Sequence, residues 1–322
     1  MKSVNISCGR SRATILDFGA TVESLFVPAG GTSRNIVLTL AERGDYQRHG
    51  AFFGAIAGRC ANRTRDGQAT INGTLHQLAL NERGVTHLHG GMKGFSNRSW
   101  KIDAADERQA ALSYLSADGE EGYPGNLKVT CVYRFESESC LSITLTAETD
   151  ATTIVNLATH SYFNLGTGPD ILGHRLRIPS ARITPVDERL IPTGELRDVA
   201  GSGFDFRKGQ IIGENRRQTP SGFDVNYAVY DSPLAELRPL AAISPAEDDV
   251  TLEIWSTEPG LQFYDGQYLP LETRVADGRH ARFGGCCLEP QRFPDAVNHA
   301  HFPSVTLEPG QIYRQKTEYR FT

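Results

Sequence analysis

The chain has 322 residues, 39% of them hydrophobic, which is enough to bury a substantial core, and all-β architectures of this length commonly remain one domain. Its formal net charge is -5, spread along the chain without a basic block that would track a phosphate backbone, so nucleic acid is excluded as the expected partner. No apolar run reaches the length of a membrane span or of a signal-peptide core, which leads to the expectation of a cytoplasmic protein without a membrane partner.

In chain order, the first chemically suggestive segment is GRCANRT at 58–64, which sets Asn62 and Arg63 just past a glycine-assisted bend. On its own this reads as a surface turn with a solvated arginine. NERGVTHLHGGMKGF follows, and its His87-x-His89 spacing puts both rings on one face if the segment is a strand. A metal site of the cupin kind would need a carboxylate a few residues later, where Lys93 and Gly94 stand, so no metal is expected. LKVTCVYRF and CLSITLTAE alternate with period two and predict a hairpin turning at 136–139.

THSYFNLG then places His160 and Tyr162 in apolar, aromatic surroundings, where the plain reading of the histidine is a core residue with a satisfied hydrogen bond. PTGELRDVAGSGFDFR and GFDVNYA bring Asp205, Arg207 and Asp224 in turn-rich stretches, where an aspartate commonly caps an Asx turn. Residues 241–249 read as an exposed acidic loop, and VTLEIWSTEPGLQFYDG, which contains Gln262, as a strand region. Glu289 closes the apolar stretch GGCCLEP, and a carboxylate in such a place is costly unless it is paired or hydrogen-bonded. Glu289 and His160 are therefore the candidate base and acid of a proton transfer. Long helical periodicity is absent, and 32 glycines and 16 prolines punctuate short strands, so an all-β, largely antiparallel sandwich is predicted, one domain over residues 1–322. Six cysteines without a CxxC pair are expected as free thiols.

Taken in order, GRCANRT, THLHGGMKGF, EEGYPGNL, THSYFNLG, PTGELRDVAGSGFDFR, GFDVNYA, EPGLQFYDG, CLEPQRFPDAVNHAHFP and the PGQIYRQKTEYRF tail resemble the aldose 1-epimerase (galactose mutarotase) family nearly end to end. The resemblance implies a galactose-mutarotase-like β-sandwich with an open monosaccharide cleft and neither metal nor organic cofactor. It also implies interconversion of the α and β anomers of a hexose such as D-galactose or D-glucose. By position in these motifs, Glu289 resembles the general base and His160 the general acid, while Asn62, Arg63, His89, Tyr162, Asp224 and Gln262 match sugar-contacting positions. His87 matches none. Val225 and Arg292 stand where many members carry histidine, which implies an altered cleft rim. A non-catalytic sugar binder on the same fold is the competing reading, a glycoside hydrolase with paired carboxylates a further one, and both monomer and homodimer remain open. The expected electrostatics are a charged Glu289, with Asp224, favouring the imidazolium form of His160, while partial desolvation makes Glu289 a stronger base.

Overall fold

The computed structural model describes residues 1–247, 249–278 and 282–322. The predicted hairpin consists of Leu127–Ser137 and Cys140–Thr149, with Cys131 opposite Leu145 and Tyr133 opposite Ile143. Its alternation is visible in burial: Leu127, Val129, Cys131, Tyr133 and Phe135 turn inward while the residues between them are more exposed. Tyr313–Phe321 pairs with the second strand of the hairpin and Leu252–Ser256 pairs with Tyr313–Phe321, so the tail lies inside a nine-stranded sheet.

A six-stranded sheet carries, in order, Tyr162–Phe163, Cys286–Gln291, Gly260–Tyr264, Asp224–Ala228, Arg182–Thr184 and Arg197–Asp198. A four-stranded meander begins with Ser3–Cys8 and ends with Thr32–Asn35. Ile15, Leu25 and Val27 from the meander, Val129, Ile143, Ile254 and Tyr319 from the large sheet, and Tyr227, Phe263 and Leu288 from the six-stranded sheet belong to one buried cluster. All strand pairings in these three sheets are antiparallel, as the alternating sequence predicts.

Two segments differ from the reading of the sequence. VTLEIWSTEPGLQFYDG is not one strand region: Leu252–Ser256 belongs to the nine-stranded sheet and Gly260–Tyr264 to the six-stranded one, so residues 257–259 carry the chain between sheets. Gly260 permits this close passage, since a Cβ there would lie 2.6 Å from Asn226 Oδ1 and 2.8 Å from the Gln291 carbonyl. The acidic stretch at 241–249 is only partly a loop, because the strand Arg238–Ser244 runs into it and Asp249 pairs with Arg34 at 2.6 Å; Asp248 lies outside the described residues. No described helix is long and apolar enough to cross a membrane.

Candidate active site

The register of the six-stranded sheet assembles the floor of a cleft. Asn226 faces Gln262, which faces Glu289; one step along, Asp224 faces Tyr264, which faces Cys287, which faces Tyr162. Cross-strand partners share a face and residues two apart share a face, so Asp224, Asn226, Gln262, Tyr264, Cys287 and Glu289 all rise from one side. Val225, Tyr227, Phe263 and Leu288 turn to the core on the other. A glutamate inside an apolar strand is thus explained by the alternation that hides its neighbours.

The opposite wall comes from two short paired strands, Arg63–Thr64 and His87–Leu88. Asn62 (φ 60°) and His89 (φ 48°) flank this pair in left-handed backbone and bond reciprocally: the His89 N–H donates to the Asn62 carbonyl at 2.9 Å, and the Asn62 N–H donates to His89 Nδ1 at 3.1 Å. The second bond makes Nδ1 the acceptor, so neutral His89 carries its proton on Nε2. Gly90 (φ 89°) packs on Gly58, where an added Cβ would sit 1.5 Å from the Gly58 carbonyl oxygen. The left-handed turn at His89 also corrects the expectation that both rings of the H-x-H share a face. His87 is fully buried, with Nδ1 2.7 Å from the Ala79 carbonyl and Nε2 2.5 Å from the Tyr123 hydroxyl.

Together these elements line a cleft of about 440 Å³, within the range of small-molecule sites. Asn62, Arg63, His89, His160, Tyr162, Asp224 and Glu289 all line it. Gln262 stands behind the lining, its Nε2 donating to Asp224 Oδ1 at 2.6 Å. Arg63 is buried rather than solvated: it holds Glu82 with two bonds of 2.8 Å and Asp224 Oδ2 at 3.3 Å. Tyr162 spends its hydroxyl on the Ala51 carbonyl at 3.0 Å and so offers its ring. His160 Nε2 lies 3.8 Å from Glu289 Oε1, and Phe52 packs against both His89 and His160, with ring centroids 4.5 Å and 5.6 Å away.

The electrostatics follow the sequence expectation at Glu289 and run against it at His160. Burial drives the His160 pKa down to about 4, overriding a backbone contact that raises it, so the neighbouring carboxylate does not win the imidazolium its charge would favour. Burial, reinforced by the charge of Asp224 and opposed by that of Arg63, holds Glu289 well above the usual carboxylate range. Between these two values the pair holds one proton. Burial also depresses His89, helped by His160 and Arg63, which fits its neutral tautomer.

Several participants have no local signal in the sequence. Glu82 sits in an ordinary polar loop and becomes significant only by reaching Arg63, Phe52 is one aromatic among many, and Tyr264 and Tyr268 enter the cleft through the fold. Asp205 and Arg207, in contrast, pair with each other at 2.7 Å away from the cleft. The rim change inferred for Val225 and Arg292 is not what the structure has: Val225 faces the core, and Arg292, outside the cleft lining, lies 3.7 Å from Glu258.

A family model described as aldose 1-epimerase matches residues 2–320. The chain is 39% identical over 316 residues to galactose mutarotase of Bos taurus, covering 97% of this chain and 91% of that protein. It is 36% identical over 318 residues to aldose 1-epimerase of Escherichia coli strain K12, covering 96% and 91%. Among solved structures, a GalM/aldose epimerase homologue from C. elegans matches with a TM-score of 0.92 at 25% identity, over 100% of this chain and 98% of that one. Galactose 1-epimerase from Lactobacillus acidophilus matches at 0.85 and 28%, over 99% and 94%. A match spanning all three sheets and every cleft-lining segment leaves one assignment: the chain belongs to the aldose 1-epimerase family.

Proposed function

We propose that the protein is a cytoplasmic aldose 1-epimerase that interconverts the anomers of a free hexose such as D-galactose or D-glucose, with Glu289 and His160 moving the protons. The observation that carries the proton-transfer assignment is the 3.8 Å approach of His160 Nε2 to Glu289 Oε1 on the floor of the cleft. Ring opening needs a base on the anomeric hydroxyl and an acid on the ring oxygen at the same time, and a pair sharing one proton supplies both. Sugar hydroxyls donating to Glu289 replace the water it lost on burial and stabilise its carboxylate, so in the complex the shared proton resides on His160. Glu289 takes the anomeric proton while His160 protonates the ring oxygen, giving the open-chain aldehyde. Rotation about C1–C2 exposes the other carbonyl face, and the two groups exchange roles on closure.

The remaining lining residues orient the sugar. His89 Nε2–H is a donor by virtue of the Asn62 bond, Asp224 is an acceptor held by Gln262 and Arg63, and the ring of Tyr162 offers an apolar face. Six cysteines without a disulfide support the cytoplasmic placement. Polarimetry of freshly dissolved α-D-galactose tests the reading: the protein should speed equilibration, and a sugar binder without catalysis would leave the spontaneous rate unchanged.

A further inference from the structure

Cys287 has no part in the proton transfer, yet it shares the site. Two residues before Glu289 on the same strand, it sends its thiol to the side of the carboxylate, into a small buried cluster with Tyr162, whereas its neighbour Cys286 turns to the main core on the other side. Its Sγ lies 3.5 Å from His160 Nδ1, and His160 Nε2 lies 3.8 Å from Glu289 Oε1. One donor atom from each of the three falls within 4.8 Å of the other two. All three side chains are buried, and among the described residues Glu289 Oε2 has no hydrogen-bond partner.

We propose that Cys287, His160 and Glu289 form an inhibitory site for a thiophilic divalent cation, zinc above all. In tetrahedral zinc coordination, bond lengths near 2.0–2.3 Å separate neighbouring donors by roughly 3.3–3.6 Å. The donors here must close by at most about 1.5 Å to reach that spacing, a displacement within reach of side-chain rotation. Sulfur, imidazole nitrogen and carboxylate oxygen together suit zinc, cobalt or cadmium, and the thiolate makes the set a poor one for magnesium or calcium. On binding, the thiol proton leaves to solvent as the sulfur–metal bond forms. Thiolate and carboxylate then balance the dication, and nothing is oxidised or reduced. The cleft side leaves a fourth position for water. One cation takes one imidazole nitrogen; held through Nδ1 beside the sulfur, it still ties up the Glu289 carboxylate that takes the anomeric proton, so occupancy stops mutarotation.

The inhibitory consequence rests on the function proposed above, whereas metal binding does not, and two readouts keep them apart. The intact protein titrated with Co²⁺ should develop a thiolate-to-cobalt charge-transfer absorption that Zn²⁺ displaces. In polarimetry, Zn²⁺ should inhibit, excess chelator should restore the rate, and Mg²⁺ should do nothing. Cys287→Ser should abolish the absorption and weaken zinc binding at least about tenfold, while Cys286→Ser changes neither. Absence of the cobalt absorption, its persistence in Cys287→Ser, or wild-type zinc affinity in that variant overturns the proposal. Should Cys287→Ser fail to fold, Glu289→Gln substitutes, and undiminished zinc affinity there is equally fatal. A protein that binds cobalt through Cys287 but does not speed mutarotation keeps this site and loses the function reading. One that is an active mutarotase without the absorption does the reverse.

Discussion

Glutamine at position 289 keeps the volume of glutamate but cannot accept the anomeric proton, and asparagine at 160 keeps a hydrogen-bonding group without an imidazolium. Glu289→Gln and His160→Asn should each lower kcat by roughly 10²- to 10⁴-fold, equivalent to about 2.7–5.5 kcal/mol of barrier, with circular dichroism unchanged. Stopped-flow polarimetry decides it, and near-wild-type kcat in Glu289→Gln removes the base. The opposed shifts of the pair also set a pH profile. The active form holds one proton, so acid inactivates by adding a second one, to His160 near pH 4, and alkali by removing the first at the raised pKa of Glu289. A bell in kcat/KM is expected, and a rate still rising at about pH 10, beyond ordinary carboxylate and imidazole titration, would refute the one-proton assignment. His87 is the contrasting case of a histidine whose burial matters to folding alone. Burial lowers its pKa to about 4, so between there and the unfolded value near 6.5 the unfolded chain binds more protons, and stability falls as the solution is acidified. This one group accounts for on the order of 3 kcal/mol across that window. Urea titrations at several pH values should show a shallower acid loss in His87→Gln, with kcat near wild type.

At the scale of elements, the turn after His87–Leu88 is held by contact geometry. Gly90→Ala forces a side chain into left-handed backbone and into the Gly58 carbonyl, and should cost more than about 3 kcal/mol or prevent folding. Gly84 (φ 71°) has open space around its missing Cβ, so Gly84→Ala meets only the backbone penalty of about 1 kcal/mol. Thermal melts of the two variants separate packing from conformation, and equal losses would contradict the close approach. The same turn shows what a sequence does and does not disclose. The hairpin around 138–139 was legible because period two survives over ten residues on each side, and Glu289 and His160 because polar groups in apolar runs are conspicuous. The direction of His87 was not legible, since one left-handed residue at 89 undoes the alternation from which a shared face is inferred. Glu82 was equally silent, because its meaning is a contact with Arg63 across 19 positions. The protonation of His160 is not legible for a related reason: a neighbouring charge is visible in a motif, whereas depth of burial belongs to the folded whole.

Over the whole molecule, buried histidines and buried carboxylates tilt stability in opposite directions. Glu258, fully buried with neither carboxylate oxygen hydrogen-bonded among the described residues, is pushed up to about 7 by desolvation against the pull of Arg292 and Arg238. A raised carboxylate contributes stability below its unfolded pKa, and that contribution is lost as pH rises through the folded one. Glu258→Gln should therefore help more at pH 8 than at pH 5, by on the order of 2 to 3 kcal/mol, and denaturation at the two pH values measures the difference. An equal effect at both would show that Glu258 ionises normally. The six-stranded sheet, meanwhile, sorts its positions by parity, with Asp224, Asn226, Gln262 and Glu289 on one side and Val225, Tyr227, Phe263 and Leu288 on the other. For directed evolution this amounts to two distinct controls on one scaffold. With Glu289 kept as the base, a library at the other cleft-side positions explores new sugars, and a library at the core-side positions adjusts robustness, so the scaffold can be hardened first and diversified afterwards.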